Sequence, residues 1–257
     1  MNIHALFLVL MISAAVNQIS SQSMTLALEG DEWTNVKEYP VKGKDGIFKK
    51  ESLSFGDYKS IAVDRSWTRG SEVTRGRSEG IPTDELYRAI MTTDKIKKKQ
   101  SLYFSLADNT GLQSQAYCMT QLQAKDFNIG NSDVSAFNLL LDLAGPGVES
   151  SNISFAKIYD GVSGSGWELI IDNQASQAKP KSYVGYLAKN DNEYYTVTPT
   201  SNVKSKNGKT GKMPFGSAGF IIRSKEGKPV AAVSIIDKGV IYLMDAGPAE
   251  RLLLASA

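Results

Sequence analysis

The chain is nearly without histidine and cysteine: among 257 residues there is one His, at position 4, and one Cys, at position 118. His4 falls in an N-terminal leader, so the remainder has no imidazole at all. This removes Ser-His-Asp and Cys-His mechanisms, His-ligated metal sites and the usual proton carrier near neutral pH. A single cysteine cannot form a disulfide within the chain, a zinc cluster or an iron–sulfur site. Cys118 sits in Gln-Ala-Tyr-Cys-Met-Thr and reads as a small buried hydrophobe rather than a reactive thiol. Neither charge is in excess: 29 Lys and Arg stand against 27 Asp and Glu, a net charge of +2. Phosphate backbones require a concentrated positive field, so nucleic acid is not an expected partner. Long apolar runs are also missing. Residues 5–16 (ALFLVLMISAAV) would rise only about 18 Å as a helix, short of a bilayer core of roughly 30 Å.

That run, followed by small and polar residues at 17–23, fits the apolar region of a signal peptide. Residues 1–22 are therefore read as a removable leader, cut after Ala15 or Ser21. Residues 23–257 are read as a single β-rich domain, with a sub-boundary near 145–151. The leader lacks Lys and Arg ahead of its apolar run, and an uncleaved anchor or a buried strand is the alternative. No cysteine lies near it, which excludes a lipid anchor on cysteine. An exported chain without disulfides must hold itself by core burial, which favours a bacterial periplasmic, surface or secreted setting over an animal one. The apolar fraction of 42% and charged fraction of 22% suit a folded globular chain.

Alternation of apolar and polar residues dominates the rest. It predicts strands at 24–28, across 52–63, and at 101–107, 112–126, 153–159, 167–172, 183–188 and 194–198, then at 218–223, 230–236 and 240–244. Turns fall at Asp108-Asn-Thr-Gly111, at 161–166, at Lys189-Asn-Asp-Asn-Glu193, at 225–228 and at 237–239. Residues 201–212 read as a Lys/Gly/Asn loop, and 67–77 as a charged loop or twisted hairpin. Pro82 and the acids after it predict a short helix over 82–91, and 137–144 reads as a buried strand or one helical turn. The fold class is mostly β: an antiparallel barrel or sandwich with one or two short helices. The tail from Pro248 starts as a helix and carries Leu252, Leu253 and Leu254 in succession. Consecutive helical residues step by roughly 100°, so no one-sided helix hides all three. The tail is expected to lie enclosed, in or against a barrel formed by strands of 153–244.

The run Gly219-Phe-Ile-Ile-Arg-Ser-Lys-Glu-Gly-Lys-Pro-Val-Ala-Ala-Val, then a strand, then an apolar terminal helix, resembles the end of the tubby-like barrels, including the plant LURP-one and scramblase relatives. The resemblance covers about 40 of the 257 residues. It implies a β-barrel closed around a hydrophobic C-terminal helix. That family is generally intracellular, and its lipid-headgroup residues have no counterparts that can be placed here.

Chemistry without histidine leaves few routes. Ser154-Phe-Ala-Lys157 and Lys209-Thr-Gly211 match the short motifs of Ser–Lys enzymes, yet the first lies in a strand pattern, where a nucleophile should open a helix, and the second lies in a loop. Carboxylate pairs for glycan hydrolysis are Asp31/Glu32, Asp84/Glu85 and Glu168/Asp172, the last sharing one strand face. The turns at Asp108 and Asp191 have calcium-like composition without completing a calcium loop. Gly161 to Gly166 precedes a strand and so is not a dinucleotide site. Asn152-Ile-Ser154 is a glycosylation sequon for a eukaryotic source. Four lysines within 95–99 and four more, Lys204, Lys206, Lys209 and Lys212, offer anion-binding positions or solvated loops. No catalytic residue, metal ligand or cofactor is assigned. The expectation is an exported, non-catalytic β protein that binds or scaffolds. A carboxylate-dependent glycan hydrolase and a binder of anionic lipid or glycan surfaces, acting through the basic loops, are the alternatives.

Overall fold

The structure, a computed structural model, describes residues 24–44, 52–65, 101–122, 152–161, 166–179, 181–214 and 216–257. The expected leader 1–22, the loop 67–77, the helix 82–91 with Asp84 and Glu85, the lysines of 95–99, the segment 137–144 and the sub-boundary near 145–151 lie outside these residues. In chain order the strands are Met24–Leu26 (β1), Lys37–Pro40 (β2), Lys42–Lys44 (β3), Ser52–Phe55 (β4), Tyr58–Arg65 (β5), Ser101–Ala107 (β6), Gln113–Leu122 (β7) and Ile153–Tyr159 (β8). They continue with Gly166–Asp172 (β9), Gly185–Ala188 (β10), Tyr194–Thr200 (β11), Asn202–Ser205 (β12), Thr210–Lys212 (β13), Gly219–Ser224 (β14), Pro229–Ser234 (β15) and Val240–Leu243 (β16). A 3-10 turn spans Asp31–Trp33, and two helices are described, Asn173–Ala178 (α1) and Pro248–Ser256 (α2).

The chain is mostly β, as the alternation predicts, with three departures. The expected loop 201–212 is the hairpin β12–β13, which pairs in turn with β1. Its outward positions are Asn202, Lys204, Thr210 and Lys212, the last three exposed, so it shows little apolar alternation to read. The polar stretch after Leu28 holds a 3-10 turn and two strands, and Asp31 and Glu32 lie in that turn rather than in a strand. Helix α1 follows β9 without a break: Asp172 accepts a hydrogen bond from the Ala175 amide (2.8 Å) and so caps it.

Thirteen strands form one antiparallel sheet in the order β2-β16-β15-β14-β11-β10-β9-β8-β7-β6-β5-β4-β3. Its first and last members, β2 and β3, are consecutive in the chain and separated by Val41 alone. Residues 37–40 ladder with β16, and residues 42–44 ladder with β4. The sheet therefore curls until both edges meet on one stretch of chain, a nearly closed barrel with little free edge. The wall draws on strands from residue 37 onward, more of the chain than 153–244.

Helix α2 touches β6, β7 and β8 and also β16, which lies across the barrel from β7 in the strand order. It is thus inside. Leu252, Leu253 and Leu254 are 0%, 2% and 4% exposed and share one core with Leu106, Ala116, Ile158, Leu187, Val197, Ile222 and Leu243. Burying three leucines contributes roughly 5–9 kcal/mol of transfer free energy. Two polar clasps fix the helix. Tyr195 donates to Glu250 (2.9 Å), and the Ser256 and Ser114 hydroxyls lie 2.6 Å apart. A second core lies outside the wall, where Leu26, Trp33 and Val203 pack on Ala232 and Tyr242 of β15 and β16. Among the described residues no helix is long and apolar enough to cross a membrane.

Candidate functional site

Up-and-down connectivity sends successive connections to alternate ends of the barrel. At one end they are 56–57, 108–112, 160–165, 189–193 and 225–228, and α2 starts from this end after β16. At the other end they are 45–51, 66–100, 123–152, 173–184 and 201–218, with the turn 235–239. Connections on a rigid wall are where binding groups are commonly carried, and among the described residues the second end carries α1, the excursion 201–218 and the turn 235–239. Connection lengths can be read from the sequence; the end on which each connection falls follows from the strand order.

The candidate site among these is the hairpin β12–β13. Lys204 lies opposite Thr210 and Lys212 opposite Asn202, so these four share the outward face. Val203, pointing the other way, is buried beside Leu26 and anchors the hairpin to the wall. Lys206 and Lys209 flank the tip at Asn207-Gly208, where Gly208 takes a φ of 77° that favours glycine. The Lys209 carbonyl accepts from both the amide and the hydroxyl of Ser205. All four lysines are exposed, and among the described residues none is ion-paired. Residues 202–212 contain no acid, so the hairpin presents undiluted positive charge. The fold thus brings together the four lysines that the sequence placed in a loop, on a supported ribbon.

The other candidates disperse. Ser154 and Lys157 are three apart on β8 and point to opposite faces of the wall. The Ser154 hydroxyl accepts from Asn173 (2.8 Å), while the Lys157 ammonium donates to Glu168 (2.9 Å). Lys209-Thr-Gly211 lies at the outer edge of the small sheet, not in the wall. Glu168 and Asp172 do share a buried face of β9, but four residues of strand separate them by about 13 Å, more than the roughly 5–9.5 Å that glycoside hydrolysis uses. Glu168 is held by Lys157, and Asp172 caps α1. Glu32 pairs with Arg223 (2.8 Å), and that hydrogen bond holds its carboxyl below the usual range.

The Asp108 carboxylate accepts from the Thr110 amide and hydroxyl and the Leu112 amide at 2.8–3.0 Å. Burial pushes its carboxyl up, and these hydrogen bonds outweigh it, leaving Asp108 below the usual range. The turn at 189–193 is organised by Asn190, whose side chain accepts from the amides of Asn192 and Glu193, and not by Asp191. Among the described residues no three His, Cys, Asp or Glu converge on a metal position. Asn152 of the sequon is exposed at the start of β8. Cys118 faces the barrel interior beside the core, where burial pushes its thiol up to about 12. No protein-family model matches the chain, and comparison with curated proteins and with solved structures finds no match.

Proposed function

We propose that the chain is an exported, non-catalytic binding protein that uses the basic hairpin β12–β13 to hold an anionic surface, glycan or lipid. The observation that carries this reading is the hairpin β12–β13: four exposed lysines, no acid, and a rigid mount through Leu26 and Val203. Each lysine near an anionic surface contributes on the order of 1 kcal/mol, so four acting together give measurable affinity at moderate salt. Dispersal of the serine, lysine and carboxylate candidates supports a binding role over a hydrolytic one. The apolar run at 5–16 supports export. The resemblance to tubby-like barrels belongs to the same proposal, and α2 seated within the wall is what supports it.

The test compares the wild type with a variant carrying Lys204→Gln, Lys206→Gln, Lys209→Gln and Lys212→Gln. Binding is measured to immobilised heparin and to vesicles of phosphatidylglycerol mixed into phosphatidylcholine, across a salt series. The wild type should bind at least one of them, and the variant should lose most of that binding with its melting temperature unchanged. Equal binding by both proteins would remove the hairpin from the function.

A further inference from the structure

We infer that the free edge of β13 takes up an extended acidic peptide segment as an added strand, with acids at alternate positions facing Lys204 and Lys212. This goes beyond the reading above, because it uses the backbone edge of the hairpin and a different class of partner. Among the described residues β13 ends its sheet, in the order β1-β12-β13, and its three residues are all exposed. The ladder fixes where its backbone groups point. The Met213 amide donates to Ser201 (2.8 Å) and the Ser205 amide to Lys209 (2.9 Å), so Val203 and Gly211, midway between them in register, are also a hydrogen-bonded pair. Thr210 and Lys212 alternate with these and turn their N–H and C=O groups away from β12. The far side of β12 obeys the same alternation, where the Asn202 carbonyl accepts from the Ala27 amide just past β1 (3.0 Å). The edge therefore offers two amides and two carbonyls, on residues that bracket Gly211, to a strand laid beside it. The turn at Gly208 precedes this edge and Pro214 follows it, so the stretch is short and defined.

The side chains select the sign of the partner. In an antiparallel pairing, a residue opposite Lys212 lies on the outward face beside that ammonium. A residue opposite Thr210 lies two strands from Lys204, whose stem is long enough to reach across the short threonine. Two acids separated by one residue would each meet a lysine. The residue between them pairs with Gly211, where an added Cβ would meet nothing within 4 Å, so that position leaves room for a side chain. Residues 202–212 contain no acid, so a basic strand, or the same edge of a second copy, would bring like charges opposite each other. The lysines thus exclude self-pairing and admit an acidic segment. A polyanion without backbone amides satisfies the lysines alone, whereas an acidic strand satisfies the lysines and the edge together. The edge is also held before the partner arrives: β12 is paired on both sides and Val203 is buried in the outer core, so little ordering cost falls on the protein.

The experiment uses the full chain as wild type, as Thr210→Pro and as the fourfold Lys→Gln variant. Proline at 210 removes an amide that points away from β12, so it takes no bond from the hairpin and no charge from its face. The probes are a capped peptide of alternating glutamate and threonine, the same peptide methylated on every backbone nitrogen, and heparin. The inference expects wild type to bind the plain peptide at least about tenfold more tightly than the methylated one. It expects Thr210→Pro to lose about tenfold for the plain peptide, with heparin retention and melting temperature unchanged, and the fourfold variant to lose the plain peptide as well. The comparison of peptides needs no variant, so it stands even where the proline lowers the melting temperature. Equal binding of the two peptides by wild type, or no binding of the plain one, would overturn the inference and leave heparin retention to judge the anionic-surface reading by itself. Undiminished peptide binding by the fourfold variant would overturn the charge selection and the inference with it. A concentration-dependent dimer of wild type that Thr210→Pro abolishes would assign the edge to a second copy and overturn it too.

Discussion

Three side chains inside the fold are acids that it keeps protonated. Burial pushes the Cys118 thiol up to about 12 from 9.0. Burial likewise raises Tyr183, with the Asp172 amide pulling the other way, and burial and the bond to Glu250 raise Tyr195. The unfolded chain gives up its thiol proton near pH 9 and its phenol protons near pH 10, while the folded chain holds them longer. Above pH 9 the folded state therefore binds more protons than the unfolded one, and stability falls as pH rises. The contribution is complete below about pH 9 and lost on the way through the raised folded values. Melting temperature followed between about pH 8 and 11 should hold level and then fall, and Cys118→Ala should soften the fall. A flat profile to the upper limit would show that these groups are not held neutral. Cys118 was legible as a buried hydrophobe from its apolar neighbours. The Lys157–Glu168 bond was not, because it joins two strands whose register is not written in either.

At the scale of elements, α2 decides most. Its leucines occupy three directions at once, so it gains its burial only where wall surrounds it on several sides. Leu253→Asp places an unpaired charge in that interior and should prevent folding. Deleting 249–257 removes the three leucines, the Glu250–Tyr195 bond and the Ser256–Ser114 contact together. The expected result is loss of the cooperative thermal transition. A truncated protein melting near the wild-type temperature would mean that α2 is not core. The element was readable in advance because the leucine triplet is a local pattern with one packing solution. The hairpin β12–β13 is the opposite case: β13 is exposed at every position, so no periodicity marks it. It becomes a strand by pairing with β12, itself held by β1 and the outer core.

The whole molecule depends on closure at Val41. Residues 37–44 meet β16 on one side and β4 on the other, and they join parts of the chain nearly two hundred positions apart. Deleting residues 24–44 would leave β16 and β4 as open edges with unpaired amides and carbonyls. It would also expose Val203 and the outer core that Leu26 and Trp33 cover. Such a protein should self-associate, seen as growth in light scattering with concentration, and should lose its sharp melting transition. A monomeric truncated chain with an unchanged transition would show that closure contributes little.

The sequence by itself determined the β class, most strand positions and turns, the enclosure of the C-terminal leucines, the lack of any histidine after His4 and the lack of a second cysteine. These are local properties, set by side-chain period, turn residues and composition. The tertiary structure decided how the sheet closes, that the four lysines stand on a braced ribbon, and that Glu168 and Asp172 are too far apart to act together. Each depends on which strand lies beside which and in what register. Period assigns a side chain to a face but not to a neighbour, and the neighbours are chosen by burial over the whole barrel.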